Sequence, residues 1–390
     1  MCGILCCLSP TDEKLISFTD RLAKIKHRGP DETNVVIVEN SNLTTFTCGF
    51  NRLAISNVLN GEQPIENKEW VHVHNGEFYN QDETFSDSYV LNQMTLENAI
   101  MFPQRMDGIF AYCSYHKDTE TLYVARDRFG VIPLYYVVET DNLATANDDQ
   151  VYERIWFASE AKALIGLGDI HMFPPNNLMV CGVSKQNGNF LLEINMENYE
   201  IHPPFPTEDY YEPLKNKRVT RQQLYPDDFF MKLREAVEKR TQIEVPWASA
   251  LSGGLDSTII STLLHKRYYQ DETEHVKTFS IGLQNSKELE VAKQIGDHFG
   301  MHHTITVTVE EALEVVPDVI WALETYDVTT IRAGVMNYLL AKNMKKFGTK
   351  VVYSGEGSDE IFGGYLYFHH CPTAEHMQYE LKRKLNELCY

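Results

Sequence analysis

Cys2 becomes the first residue of this chain once Met1 is removed, and it then carries a thiol and a free α-amine together. The reference pKa of an α-amine is about 7.7–8.0, so near neutral pH part of it is an unprotonated base. A thiol is a strong nucleophile once it loses its proton. An N-terminal amine beside its own side chain is therefore a self-contained nucleophile–base pair. The plainer alternative is a cysteine used as a small buried apolar residue.

A second chemical segment is Ser252-Gly253-Gly254-Leu255-Asp256-Ser257. It lies between an expected strand and an expected helix. The glycines permit a tight turn and close backbone approach, and a helix N-terminus offers unpaired N–H groups to an anion. The segment reads as a pyrophosphate cradle, or else as an ordinary strand–helix turn. No Gly-Lys-Ser/Thr follows, so it is not a Walker A loop. Ser354-Gly355-Glu356-Gly357-Ser358-Asp359-Glu360 has a similar setting after another apolar strand. Its acids would repel phosphate unless a cation intervened, and Mg²⁺ favours carboxylates together with phosphate oxygens. Asp256 and Asp359 are the candidate ligands, with Mg²⁺ bridging them to ATP. The alternative is a solvated acidic loop.

The elements that must hold these residues change character along the chain. Residues 1–200 read mostly as short strands: Val35–Val38, Thr44–Gly49, Trp70–His74, Ile109–Tyr115, Thr121–Ala125, Leu134–Val138 and Ile155–Ala158. Leu15, Phe18, Leu22 and Ile25 mark one helix. This pattern predicts an α+β domain on antiparallel sheets. His202–Pro213, rich in proline and acids, reads as a linker. Beyond it, strands expected at Trp247–Leu251, Thr278–Leu283, Thr304–Val309 and Lys350–Ser354 alternate with helices at Asp227–Gln242, Ser257–Tyr268, Lys287–Phe299, Glu311–Glu324 and Ala333–Lys346. Such alternation predicts a parallel sheet covered by helices.

The 390 residues suffice for two domains. A composition of 43% hydrophobic and 23% charged residues is globular. The formal charge of −20 leaves no visible basic face for nucleic acid. Eight cysteines are scattered without a disulfide framework, which points to a reducing compartment. Cys2, Cys6 and Cys7 lack a second Cys/His pair at zinc-site spacing. No apolar run approaches membrane-span length, and no secretory signal is visible. The expectation is a cytoplasmic protein acting on small molecules, with no nucleic-acid or membrane partner.

The chemical segments do not stand alone. Cys2-Gly3-Ile4 is followed by His27-Arg28-Gly29-Pro30-Asp31, Arg52-Leu53-Ala54-Ile55, Asn75-Gly76-Glu77-Phe78-Tyr79-Asn80 and Ala125-Arg126-Asp127-Arg128-Phe129-Gly130. After the first glycine loop come Glu324-Thr325-Tyr326-Asp327-Val328-Thr329-Thr330-Ile331-Arg332 and the run Ser354 to His369. In content and order, over essentially the whole chain, these resemble glutamine-dependent asparagine synthetase, a class II glutamine amidotransferase.

The resemblance implies two domains. Residues 1–205 would be an N-terminal-nucleophile glutaminase of layered αββα architecture. Residues 221–390 would be an α/β ATP-pyrophosphatase domain. Cys2 would attack the glutamine side-chain amide, with Asn75 and Gly76 as oxyanion donors. Arg52, Ile55, Ser56, Glu77 and Asp87 would complete the glutamine site. In the second domain, aspartate would be adenylated by ATP and ammonia would displace AMP. Leu251, Ser252, Gly253, Gly254, Asp256, Ser257, Ile281, Ser354 and Gly355 match the ATP contacts, Leu251 and Ile281 through backbone groups. Thr329, Thr330 and Arg332 match the aspartate segment. Glu356 matches the acid that would serve the intermediate. An apolar ammonia channel and a homodimer are also implied.

The chain departs from the pattern in places. Asn57 stands where the family has an acid, and His370-Cys371 replaces Lys-Ala. The stripe Met377, Leu381, Leu385 and Leu388 ends without the helices that follow in the family, so an interrupted synthetase domain is expected. An alternative reading is accordingly a degenerate or truncated synthetase, acting only as a glutaminase or as a glutamine- or nucleotide-binding partner protein. A different amidotransferase would share Cys2 and Asn75-Gly76 but not the segments 252–257 and 325–332.

Overall fold

The structure is a computed structural model that describes residues 1–10, 17–40, 44–79, 87–140, 152–186, 189–198, 226–268 and 276–386. The expected linker at 202–213, together with Leu15 and Leu388, lies outside the described residues. The chain divides into two units, Met1–Lys217 with Asn386–Tyr390, and Arg218–Leu385.

The first unit holds twelve described strands: β1 (Gly3–Pro10), β2 (Glu32–Glu39), β3 (Thr44–Arg52), β4 (Ile65–Glu66), β5 (Trp70–Phe78), β6 (Gly108–His116), β7 (Thr121–Arg126), β8 (Tyr135–Thr140), β9 (Tyr152–Ala158), β10 (His171–Met172), β11 (Asn177–Gln186) and β12 (Asn189–Asn198). They form two antiparallel sheets, ordered β10-β8-β9-β1-β3-β2 and β12-β11-β7-β6-β5-β4. Every strand expected here is present. Three longer ones were not expected: β1, β11 and β12. Ile4, Cys6 and Leu8 of β1 turn inward and pack with Val71, Val73 and Cys113 of the second sheet in one buried core. Leu5 and Cys7 turn outward onto helix α1 (Phe18–Lys24) through Phe18 and Leu22. A 3₁₀ segment at Asp87–Gln93 covers the other sheet, burying Val90 and Leu91 with Trp70 and Phe110. Helix, two sheets and helical segment form the layers, each sheet being apolar on both faces.

The second unit is a parallel sheet of β13 (Trp247–Ala250), β14 (Lys277–Leu283), β15 (Met301–Val307) and β16 (Val351–Tyr353). The strand order is β15-β14-β13-β16. Around it lie α2 (Pro226–Lys239), α3 (Leu255–Tyr268), α4 (Lys287–Gly296), α5 (Val309–Glu314), α6 (Val316–Leu323), α7 (Val328–Lys346), α8 (Ser358–Phe362) and α9 (Ala374–Asn386). Two expectations are corrected. The helix expected at Glu311–Glu324 is two helices, with Pro317 in the first turn of α6, where its missing N–H costs nothing. The helix expected from Ala333 begins at Val328, because Asp327 caps it by accepting the Thr330 N–H at 2.7 Å. Phe279, fully buried in β14, packs on Ala248 and Met344.

Phe279→Ala should therefore cost about 3–5 kcal/mol. Denaturant unfolding followed by fluorescence should show a lowered midpoint; an unchanged midpoint would mean the strand is not central to this unit.

Candidate active site

β1 and β3 pair from Gly3 opposite Asn51 to Pro10 opposite Thr44. Cys2 therefore sits just before a paired strand, beside the residues that leave β3. The Leu53 N–H lies 3.3 Å from Cys2 Sγ, and the thiol donates to the Leu53 carbonyl at 3.7 Å. An N–H aimed at sulfur favours negative charge developing there.

Neighbouring motif residues build this corner. Asp31 accepts the Ala54 N–H at 2.8 Å, and its own N–H donates to the Arg52 carbonyl at 3.0 Å. A Cβ on Gly29 would stand 2.0 Å from the Asn51 carbonyl oxygen, so the two chains touch backbone to backbone. Arg28 Nε donates to the Cys2 carbonyl at 2.8 Å. Segment 126–132 is tied by two buried side chains. Asp127 accepts the N–H groups of Phe110, Phe129, Val131 and Ile132, and Arg126 donates to the carbonyls of Gly130, Ile132 and Phe173.

The result is a cavity of about 80 Å³. It brings together Cys2, Arg52, Ile55, Ser56, Asn75, Gly76 and Glu77, with Met1 also in the wall. Asp87 lies in the 3₁₀ segment, but its side chain is outside the described ones. Arg52 is turned inward, donating to the Asn57 carbonyl at 3.0 Å and standing 3.5 Å from the Glu32 carboxylate. Asn75 is fully buried, and neither its Oδ1 nor its Nδ2 meets a protein partner. A buried amide left unpaired costs about 1–3 kcal/mol, so its place in this wall suits a polar guest. Gly76 has φ +121°, and a Cβ there would lie 1.9 Å from the Ile109 carbonyl oxygen. Only glycine fits that strand position.

Sequence reasoning missed part of this wall. Gln63 accepts the His74 N–H at 2.7 Å and donates to Ser88 Oγ at 2.9 Å; all three line the cavity. It also missed Glu160, a buried carboxylate within 3.0 Å of Arg28, His27 and Lys162. Two opposite charges inside the apolar stretch Phe157–Ile165 were the available signal. Burial alone would raise the Glu160 pKa, but the bonds from Lys162 and Arg28 outweigh it and hold the carboxyl below its usual range.

In the second unit the strand order reverses between β13 and β16, and the two glycine loops follow those neighbouring strands. Crevices at such switch points are where open α/β sheets take ligands. A Cβ on Gly355 would lie 2.8 Å from the Ser257 nitrogen, and Ser358 donates to Asp256 at 3.0 Å. Ser252, Gly254 and Ser257 are hydrogen-bonded to one another. Gly253 has φ +85°, and a Cβ would crowd the Ala292 nitrogen at 2.9 Å. Burial, then the facing Asp256 and Glu360 charges, raise the Asp359 pKa. Two carboxylates repelling across adjoining loops fit a site for one cation held jointly with phosphate. Among the described residues no three His, Cys, Asp or Glu side chains form a metal cluster by themselves.

Other expected contacts stand differently. The Leu251 backbone is already engaged, its N–H to Phe279 at 2.8 Å and its carbonyl to Ser280 Oγ at 2.6 Å. Ile281 pairs within β14 against Ile305. Ser354 and Glu356 are exposed. Thr329, Thr330 and Arg332 are exposed on the first turns of α7, and Thr330 spends its N–H and hydroxyl on Asp327. No described contact joins these three to the glycine loops, although Ile331 and Ile281 pack on the same apolar cluster.

Comparison with known proteins agrees with this two-part arrangement. Residues 1–186 match the glutamine amidotransferase domain model, and residues 230–388 match the asparagine synthase model. The glutamine-hydrolysing asparagine synthetase of Asparagus officinalis is 33% identical, over all of this chain and 64% of its own length. That of Sandersonia aurantiaca is 32% identical over all of this chain and 71% of its own length. Asparagine synthetase B of Escherichia coli K12 is 33% identical over 93% of this chain and 63% of its own length. The chain thus spans roughly two thirds of the length of these relatives.

Glu160 yields a pH prediction. A carboxyl held below its usual range stabilises the fold above the ordinary carboxylate pKa of about 4.3. That stabilisation is lost as pH falls through the lower, folded value. The protein should melt above Glu160→Gln at pH 7, and the gap should close below about pH 4. Equal melting temperatures at pH 7 would contradict it.

Proposed function

The chain belongs to the family of glutamine-hydrolysing asparagine synthetases, and from that membership we propose that it makes asparagine from aspartate, ATP and the amide nitrogen of glutamine. The domains are residues 1–205 and 221–390. The observation that carries the reading is the unpartnered Asn75 carboxamide in the same cavity as Cys2.

In the first domain, removal of Met1 frees the Cys2 α-amine to take the thiol proton. The sulfur attacks the glutamine amide carbon. Asn75 Nδ2 and the Gly76 N–H receive the oxyanion, donors of a kind that lower such barriers by several kcal/mol. Ammonia leaves as the thioester forms, and water then releases glutamate. Arg52 holds the α-carboxylate as a guanidinium fork can. Ile55 and Ser56 form the adjoining wall, and Glu77 and Asp87 receive the α-ammonium.

In the second domain, ATP lies across the two glycine loops. Leu251, Ser252, Gly253, Gly254, Asp256, Ser257, Ile281, Ser354 and Gly355 surround it. The aspartate carboxylate attacks the α-phosphorus and pyrophosphate departs, giving β-aspartyl-AMP. Ammonia attacks the activated carbonyl and AMP leaves. Glu356 takes the proton from the incoming nitrogen, and its exposure keeps it accessible to that nitrogen. Thr329, Thr330 and Arg332 hold aspartate. Asp256 and Asp359 would hold Mg²⁺, which supplies charge neutralisation for the phosphates.

The working form is a cytoplasmic homodimer. None of the seven described cysteines is in a disulfide, which suits a reducing compartment, and no described helix is long and apolar enough to cross a membrane.

The test bypasses glutamine. With ATP, Mg²⁺, aspartate and ammonium, the purified chain should form AMP and asparagine in equal amounts. Glutamine hydrolysis without either product would leave the chain an amidase alone. Cys2→Ala should abolish glutamate release and spare ammonia-driven synthesis; continued glutamate release would overturn the nucleophile assignment.

A further inference from the structure

Beside Cys2, outside the cavity lining, stands a cluster of four ionisable side chains that the roles above do not use. Glu160 follows β9 directly. Its Oε1 accepts from Arg28 Nη1 at 3.0 Å and lies 3.0 Å from His27 Nε2, and its Oε2 accepts from Lys162 Nζ at 2.7 Å. The Arg28, Glu160 and Lys162 side chains are 11%, 7% and 2% exposed, so this is an interior cluster; His27, at 51%, is its rim. The same Arg28 reaches the Cys2 carbonyl with Nε. One residue earlier, Ser159 exchanges hydrogen bonds with Ile4, its Oγ accepting the Ile4 N–H at 2.9 Å and its own N–H donating to the Ile4 carbonyl at 3.0 Å. Segment 159–160 therefore fastens both ends of the tripeptide that carries the thiol.

A guanidinium is a rigid planar fork. With one edge fixed on a buried carboxylate, the other is aimed; without that carboxylate, the fork can turn away from the Cys2 carbonyl. Cys2 precedes the β1–β3 ladder, so the ladder alone does not hold it. Neither Arg28 nor Glu160 lines the cavity. Their described link to the cavity wall is the Arg28 bond to the Cys2 carbonyl.

We propose that Glu160 is a positioning residue for amide hydrolysis, holding Arg28 so that Arg28 holds the Cys2 carbonyl and thereby the attack direction of the thiol. The inference rests on the reading of Cys2 as the glutaminase nucleophile. Lys162 has a different part: its buried ammonium balances Glu160 from the Oε2 side. It supports the fold and leaves the aim alone.

The experiment is a mutant cycle read in glutaminase kcat and in KM for glutamine. Glu160→Gln should lower kcat about 10- to 100-fold, the scale of a misplaced reacting group, with KM changed less than about twofold because the substrate contacts are elsewhere. Arg28→Ala should do the same. The double variant should be no slower than the slower single, because both act through one contact. Lys162→Met should lower the melting temperature and keep kcat within about threefold. If Glu160→Gln gives no cooperative melt, Arg28→Lys replaces it: the ammonium keeps its charge beside Glu160 but cannot span both partners, and it should show the same kcat loss at unchanged KM. Multiplying penalties in the double variant, a rise in KM at unchanged kcat, or a Lys162→Met kcat loss as large as that of the other variants would overturn the proposal. Cys2→Ala, run alongside, separates the two readings. If it still hydrolyses glutamine, the nucleophile assignment fails; if it is inactive while the penalties multiply, only the positioning role fails.

Discussion

Register between β1 and β3 is the constraint on which the corner around Cys2 depends. Eight residue pairs run from Gly3–Asn51 to Pro10–Thr44. Strand side chains alternate, so a slip of one residue would exchange Ile4, Cys6 and Leu8 with Leu5 and Cys7 and turn the inter-sheet core outward. The same slip would move Cys2 off Leu53 and out of reach of Arg28. Arg52 is the last residue of β3, so thiol and guanidinium are placed by opposite sides of one ladder. The close approach at Gly29 then lets Asp31 tie the chain leaving β3. Chemistry at residue 2 is thus positioned by apolar packing several residues away.

Polar satisfaction divides the unit into a settled part and an open one. Arg126 and Asp127 together satisfy seven backbone groups, five of them in the irregular segment 127–132, where such groups would otherwise be left unpaired. Asn75, on the neighbouring strand, has neither side-chain atom satisfied. Open buried atoms occur elsewhere too, as at Thr47 Oγ1 and Trp70 Nε1, but Asn75 is open at both ends of its carboxamide and stands in the cavity wall. In the second unit the glycine loop satisfies itself instead, Ser252 and Ser257 closing on each other. Under the proposed function, a nucleotide would compete there with bonds that already exist.

Most strands were legible because their β-branched and aromatic residues stand between turn residues, as in Val35–Val38 and Thr121–Ala125. β1 was not, because Gly-Ile-Leu-Cys-Cys-Leu-Ser-Pro is apolar on both faces and shows no alternation. The helix start at Val328 was hidden because Thr-Thr-Ile reads as extended, and Asp327 overrides that preference by capping. The motifs located the cavity residues individually. Their convergence, and the partners Gln63, His74, Ser88 and Glu160, depend on long-range pairing that no local window contains. The meeting of Gly355 with Ser257 likewise follows from strand order, with β16 beside β13.

The cysteines acquire a practical meaning from the same layering. Cys6, Cys48, Cys113 and Cys181 lie between the sheets and Cys7 beneath α1, all fully buried. Burial, first among several causes, pushes the Cys6, Cys7, Cys48 and Cys181 thiols well up, away from the thiolate form. Cys2 and Cys371 are only half-buried. An electrophilic dye will therefore meet the interior thiols only when the two sheets part or α1 lifts away. The number of dyes bound per chain over time is a built-in clock for opening of the first unit, read by mass alone and needing no engineered probe.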